Sequence, residues 1–146
     1  MILAFELSSR RGSIALHDGT TVVAERTWED AAARHGALWP ELDALVKSTG
    51  LHWPVLTALA VGRGPGSFSG LRAAITAARV LAAPDRHRVL AVSSGEALAR
   101  EWFAAHPGSG GALIVAGDAR RGSIWHGHLE RHGACVRLSG DWSLAS

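Results

Sequence analysis

The sequence predicts an α/β fold on a mixed sheet, and three observations carry that prediction. Three short alternating runs open the chain, segments with apolar residues at helical spacing then alternate with short buried runs, and a glycine-rich break precedes more alternating runs.

The opening runs are Ile2 to Leu7, Ser13 to His17 and Thr21 to Arg26, separated by Ser8-Ser9-Arg10-Arg11-Gly12 and by Asp18-Gly19. Aspartate-glycine between two such runs is a hairpin signal, so three antiparallel strands are expected. Leu38, Leu42, Leu45, Val46 and Thr49 then recur at helical spacing, with Gly50 as the stop. Pro40 fits only near a first turn, which predicts a start close to His35. Leu56 to Gly62, bounded by Pro54 and a glycine cluster, reads as a buried strand. Leu71, Ala74, Ile75, Ala78 and Leu81 mark a second helix that ends before Pro84. A third pair follows: a strand over Arg88 to Val92, then a helix over Ala97 to Ala105, preceded by Ser93 and Glu96 at capping-box spacing. His106-Pro107-Gly108-Ser109-Gly110-Gly111 is the clearest loop. Beyond it, Ala112 to Ala116, Ser123 to Glu130 and Ala134 to Leu138 are strand-like.

The order βββ-αβ-αβα, followed by a β-rich segment, describes a mixed sheet with helices. This is the ribonuclease-H-like module that also forms each half of the actin/hexokinase class of ATPases. The expected division is an N-terminal lobe over residues 1–106 and the start of a reduced second lobe over residues 107–146. No internal repeat is present.

With 146 residues, 47% hydrophobic and 19% charged, the chain can close its own core without a staple. Cys135 is the single cysteine, which excludes an internal disulfide and a cysteine-based zinc site. Glu6 lies inside the first apolar run with no basic residue ahead of it, unlike a signal peptide, and no apolar stretch approaches the ~20 residues of a membrane span. A cytoplasmic protein is expected. Net charge is +2 with Lys47 as the only lysine, so the positive charge sits on guanidinium groups. These suit phosphate or carboxylate and keep RNA among the possible ligands, but an arginine-rich, lysine-poor surface is also what a GC-rich genome writes, and that is the favoured reading.

Gly62 to Arg72, GRGPGSFSGLR, joins the predicted buried strand to a helix N-terminus, where free amides could receive an anion. A Walker A loop needs a lysine that is absent here, and the dinucleotide fingerprint fails at Ser67. A tight turn without ligand is the competing reading. Asp118-Ala119-Arg120-Arg121-Gly122 is either an arginine pair facing a phosphate or partner carboxylate, or a polar turn. His126 and His128 share a strand face with His132 near, but no carboxylate or thiol at sensible spacing completes a zinc site, and no metal or cofactor is expected. Glu6 alone falls short of the converging carboxylates that two-metal nuclease chemistry requires. The tryptophans lack the basic interleaving of a single-strand RNA platform and read as core or rim.

Within this frame, Gly64-Pro65-Gly66-Ser67-Phe68-Ser69-Gly70-Leu71-Arg72 resembles the GPGSFTGLR signature of the TsaB (YeaZ-like) family. Ile2 to Ser9 resembles that family's ILAIDTS opening. Arg34-His35 with Leu38 and Pro40 resembles its RHSExLLP helix start, and Gly117 to Trp125, with Asp118, Arg120 and Arg121, resembles its DARRGEVY. The four stretches fall in the family's order across residues 2–125. Glu6 stands where the family has aspartate, Gly36 and Ala37 stand for its Ser-Glu pair, and family members generally continue for a further subdomain.

The resemblance implies the actin-like ATPase fold and a non-catalytic scaffold in the bacterial machinery that makes threonylcarbamoyladenosine in tRNA. It implies pairing, through the N-terminal lobe, with the metal-holding transferase subunit TsaD, which the ATPase TsaE then joins; tRNA is met only through that complex. The helices suited to pairing are Leu38 to Thr49 and Leu71 to Leu81. The expected interface residues are Leu38, Leu42 and Leu45 with Ala73, Ala74, Ala77 and Ala78, the alanines being read as exposed. Two alternatives stand beside it: an ATP-binding small kinase or ATPase of the same fold using residues 62–70 and Glu6, and a homodimer formed through the alanine-rich face.

Overall fold

The computed structural model describes residues 1–29 and 36–146. Among them the elements run β1 (Ile2–Glu6), β2 (Arg11–His17), β3 (Val22–Glu29), α1 (Leu38–Thr49), a 3-10 turn (Trp53–Val55), β4 (Ala58–Gly62), α2 (Phe68–Ala82), β5 (Arg88–Val92), α3 (Ser94–Ala105), β6 (Ala112–Arg120), β7 (Ser123–His132) and β8 (Cys135–Ala145). The expected start near His35 lies outside the described residues. Contacts divide the chain into two units, Met1–Arg63 with Ser67–Ala91, and Gly64–Gly66 with Val92–Ser146.

The first unit holds a five-stranded sheet in the order β3-β2-β1-β4-β5. β1 runs antiparallel to β2 and parallel to β4, with Leu3 opposite both Leu16 and Leu59, and Phe5 opposite Ile14 and Val61. Because side chains alternate along a strand, these residues share one face. They form one core with Leu38, Leu42 and Leu45 of α1 and Ala74, Ala77 and Ala78 of α2. Pro40 stands in the first turn of α1, where its missing N–H removes no helical bond, and Gly50 closes the helix in the left-handed conformation at φ 62°. The Asp18-Gly19 turn is held by the Asp18 carboxylate, which accepts from the Thr20 and Thr21 amides at 2.7 and 2.8 Å. Arg26 of β3 and Glu41 of α1 form an ion pair.

In the second unit, α3 packs on the antiparallel sheet β6-β7-β8. Ser93 caps α3 by accepting the Glu96 amide, but the Glu96 carboxylate, which a capping box would turn back to Ser93, instead accepts the Leu138 amide of β8 at 3.2 Å. The Trp142 ring meets Trp125 edge-on, centroids 5.5 Å apart. β6 continues through Gly117 and Asp118 to Arg120, four residues beyond its expected end, because Trp125 lies over Gly117, its register partner, and keeps the ladder going.

Candidate functional site

The candidate site begins where β1 and β4 end side by side. Glu6 follows Phe5, the register partner of Val61, so its carboxylate reaches Gly62 of the neighbouring strand. The Glu6 side chain occupies the space that a Cβ at Gly62 would need. Its Oε1 accepts the Ser8 amide at 2.6 Å, so the carboxylate shapes the β1–β2 turn. Ser67 donates its amide to the Ser8 carbonyl at 2.6 Å, tying the start of α2 to that turn.

Sequence spacing starts the second helix at Leu71, but Phe68, Ser69 and Gly70 already form its first turn. The reason is the Ser67 cap, whose Oγ accepts the Gly70 amide at 3.4 Å and faces the Ser69 hydroxyl at 3.1 Å. Upstream, Gly64 and Gly66 adopt φ values of 89° and 154°, which a side chain would resist, and Gly64-Pro65 is cis. The Gly64 amide donates to Ser94 Oγ at 3.1 Å, and the Gly64 carbonyl accepts the Ser94 amide at 2.9 Å. The amides of Gly64, Ser67 and Gly70, which a phosphate cradle would direct outward, thus have partners inside the protein.

The helix faces require a correction. Ala74, Ala77 and Ala78 are buried, as are Leu38, Leu42 and Leu45, and Ala73 is half-buried against the core. Small side chains let α2 sit close to β4 and β1, so the alanine face is the sheet-facing one. The solvent side of α2 carries Phe68, Arg72, Ile75 and Arg79 at spacings of three or four residues, with Val80 exposed next to Arg79. Phe68 is 78% exposed and Val80 60%, with the Arg72 guanidinium 5.7 Å from the Phe68 ring centroid. On α1, Trp39 is 51% exposed. Single-sequence periodicity marked Ile75 as apolar helix face; Phe68 stayed hidden because it was assigned to the loop.

At the β6–β7 turn, Arg120 and Arg121 adopt φ of 67° and 56°, followed by Gly122 at 80°. Left-handed backbone costs about 1–2 kcal/mol for each non-glycine residue. The Asp118 carboxylate accepts the Arg120 amide at 2.6 Å, which fixes the turn. Both arginines are exposed. Arg34 and His35 lie outside the described residues. No helix among the described residues is long and apolar enough to cross a membrane.

Against this geometry, comparison with known proteins is specific. The family model described as TsaD, tRNA N6-adenosine threonylcarbamoyltransferase, matches residues 23–139. The tRNA threonylcarbamoyladenosine biosynthesis protein TsaB of Haemophilus influenzae is 30% identical over 132 residues, 89% of this chain and 54% of that protein. Its Escherichia coli counterpart is 29% identical over 97% of this chain and 68% of its own length. The structure of YeaZ from Pseudomonas aeruginosa superposes with a TM-score of 0.85 at 29% identity, over 98% of this chain and 66% of that one. The likeness bears out the actin-like, ribonuclease-H-like fold. The chain spans between about half and two thirds of the length of these relatives.

Proposed function

Because the chain belongs to the TsaD family and is TsaB/YeaZ-like within it, we propose that it serves tRNA threonylcarbamoyladenosine biosynthesis as a non-catalytic subunit. In this reading it pairs with and activates a TsaD-like transferase subunit, and a TsaE-like ATPase joins the pair. The observation that carries the pairing is the solvent face of α2. Phe68, Ile75 and Val80 expose apolar surface on a regular helix, the kind of surface that marks a protein contact. Arg72 and Arg79 flank it and suit carboxylates on a partner.

The non-catalytic assignment draws support from the loop. A nucleotide-binding kinase or ATPase would need amides directed at phosphate, whereas those of Gly64, Ser67 and Gly70 are engaged by Ser94, Ser8 and Ser67. Glu6 is turned onto the Ser8 amide. Micromolar binding of ATP with magnesium, read by calorimetry, would favour the enzyme instead.

Size-exclusion chromatography with light scattering, on this chain mixed with the cognate TsaD-like subunit, tests the pairing. A one-to-one complex is expected, lost on changing Phe68 and Val80 together to aspartate. Two separate peaks for the unaltered proteins would refute it, and self-association through the same face would then account for the exposed residues.

A further inference from the structure

We infer that His126 and His128 of β7 form a two-imidazole chelate for a borderline divalent transition-metal ion. Residues two apart on a strand project from the same face, so the two rings rise side by side. Their centroids are 6.4 Å apart, with the planes at 77°. Gly127 between them faces the other side of the sheet, under Trp142 and Leu138, and the strand is central, paired to β6 and β8. The β6 ladder is regular through this segment, while on the β8 side the register shifts between His126 and His128, so the backbone that carries the pair is held continuously by β6.

The surroundings favour a cation. The register partners are Ala116 and Ile114 on β6, and Ser143 and Ser139 on β8, so no guanidinium or amine stands directly beside the pair. The next row along β7 and β8 pairs Glu130 with Arg137, and Glu130 also lies 3.5 Å from His132 Nε2. That carboxylate and the third histidine are thus engaged with each other. His128 is exposed and His126 half-buried, so the pair is open to solvent, and a shared ion requires one nitrogen of each ring at about 2 Å. Among the described residues no group of three or more His, Cys, Asp or Glu is placed to hold a metal. Water fills the remaining positions, which makes the ion exchangeable. Imidazole donors and the Irving–Williams order give Cu2+ as the tightest ion, with Ni2+ and Zn2+ weaker.

The test is calorimetric titration of the whole chain with Cu2+ and with Zn2+, alongside His126→Gln, His128→Gln and His132→Gln. Circular dichroism checks that each variant keeps the fold. One Cu2+ site is expected, weakened by about tenfold or more in either of the first two variants and unchanged in the third. NMR should show Cu2+ broadening the resonances of His126 and His128 first. The inference is overturned if the unaltered chain binds no Cu2+, if neither of the first two variants weakens binding, or if His132→Gln abolishes it.

Discussion

The indole of Trp142 lies directly against the backbone of Gly95, leaving no room for a side chain there. The same ring also covers Gly127, so one tryptophan of β8 spans the first turn of α3 and the centre of the sheet. Two opposed effects decide what Gly95→Ala does. Alanine favours a helix over glycine by about 1 kcal/mol, while forcing a methyl into a packed site costs about 1–3 kcal/mol. Since a rigid ring cannot swing aside like a flexible chain, net destabilisation of up to about 2 kcal/mol is expected. Urea denaturation followed by tryptophan fluorescence measures it, and an unchanged or raised midpoint would contradict the packing.

Gly62→Ala should destabilise because its methyl displaces the Glu6 carboxylate from the Ser8 amide. Removing that carboxylate first should relieve the clash. In a double-mutant cycle with Glu6→Ala, the cost of Gly62→Ala is expected to fall by about 0.5–3 kcal/mol. Additive losses would mean that the two residues do not compete for space.

The two faces of α2 should respond oppositely. Ala77→Leu adds volume against the sheet and is expected to cost about 1–3 kcal/mol. Phe68→Ser on the solvent side should change stability by about 0.5 kcal/mol or less, the range of ordinary surface substitutions. Chemical denaturation of both variants reads the contrast directly.

Asp18 accepts the Thr21 and Thr20 amides, which hold its carboxyl below its ordinary value of 3.8. Hydrogen bonds to the charged form lower the folded-state value relative to the unfolded one. The resulting stability is complete above the ordinary carboxylate range and is lost as pH falls through the lowered value. An NMR titration should give a midpoint below 3.8 for Asp18, with the Thr20 and Thr21 amide shifts following the same curve. Asp18→Ala should remove this part of the acid dependence.

Much of this architecture was legible in the residues. Asp18-Gly19 announced its hairpin because the turn is local chemistry, and Ser93 with Glu96 announced the start of α3 for the same reason. The Glu96 carboxylate nevertheless went to Leu138, forty-two positions away, a partner that no local rule contains. The orientation of α2 was misread because alanine fits either a tight core contact or a small-residue surface, and only the sheet beneath decides between them. The Ser67 cap was the missed signal that would have started α2 at Phe68 and exposed that ring. Glu6 and Gly62 are distant in sequence, and nothing but parallel pairing of β1 with β4 brings them together.

Lys47 closes α1 with its ammonium 2.7 Å from Asp43, both exposed and one helical turn apart. Since it is the only lysine, amine-directed reagents meet a single side-chain target on the whole surface. A fluorophore or crosslinker attached there occupies one known position on a helix already anchored by Leu38, Leu42 and Leu45. Replacing an exposed ion pair of this kind costs about 0–1 kcal/mol. The chain thus carries a single side-chain amine for attachment, beside the terminal amine of Met1.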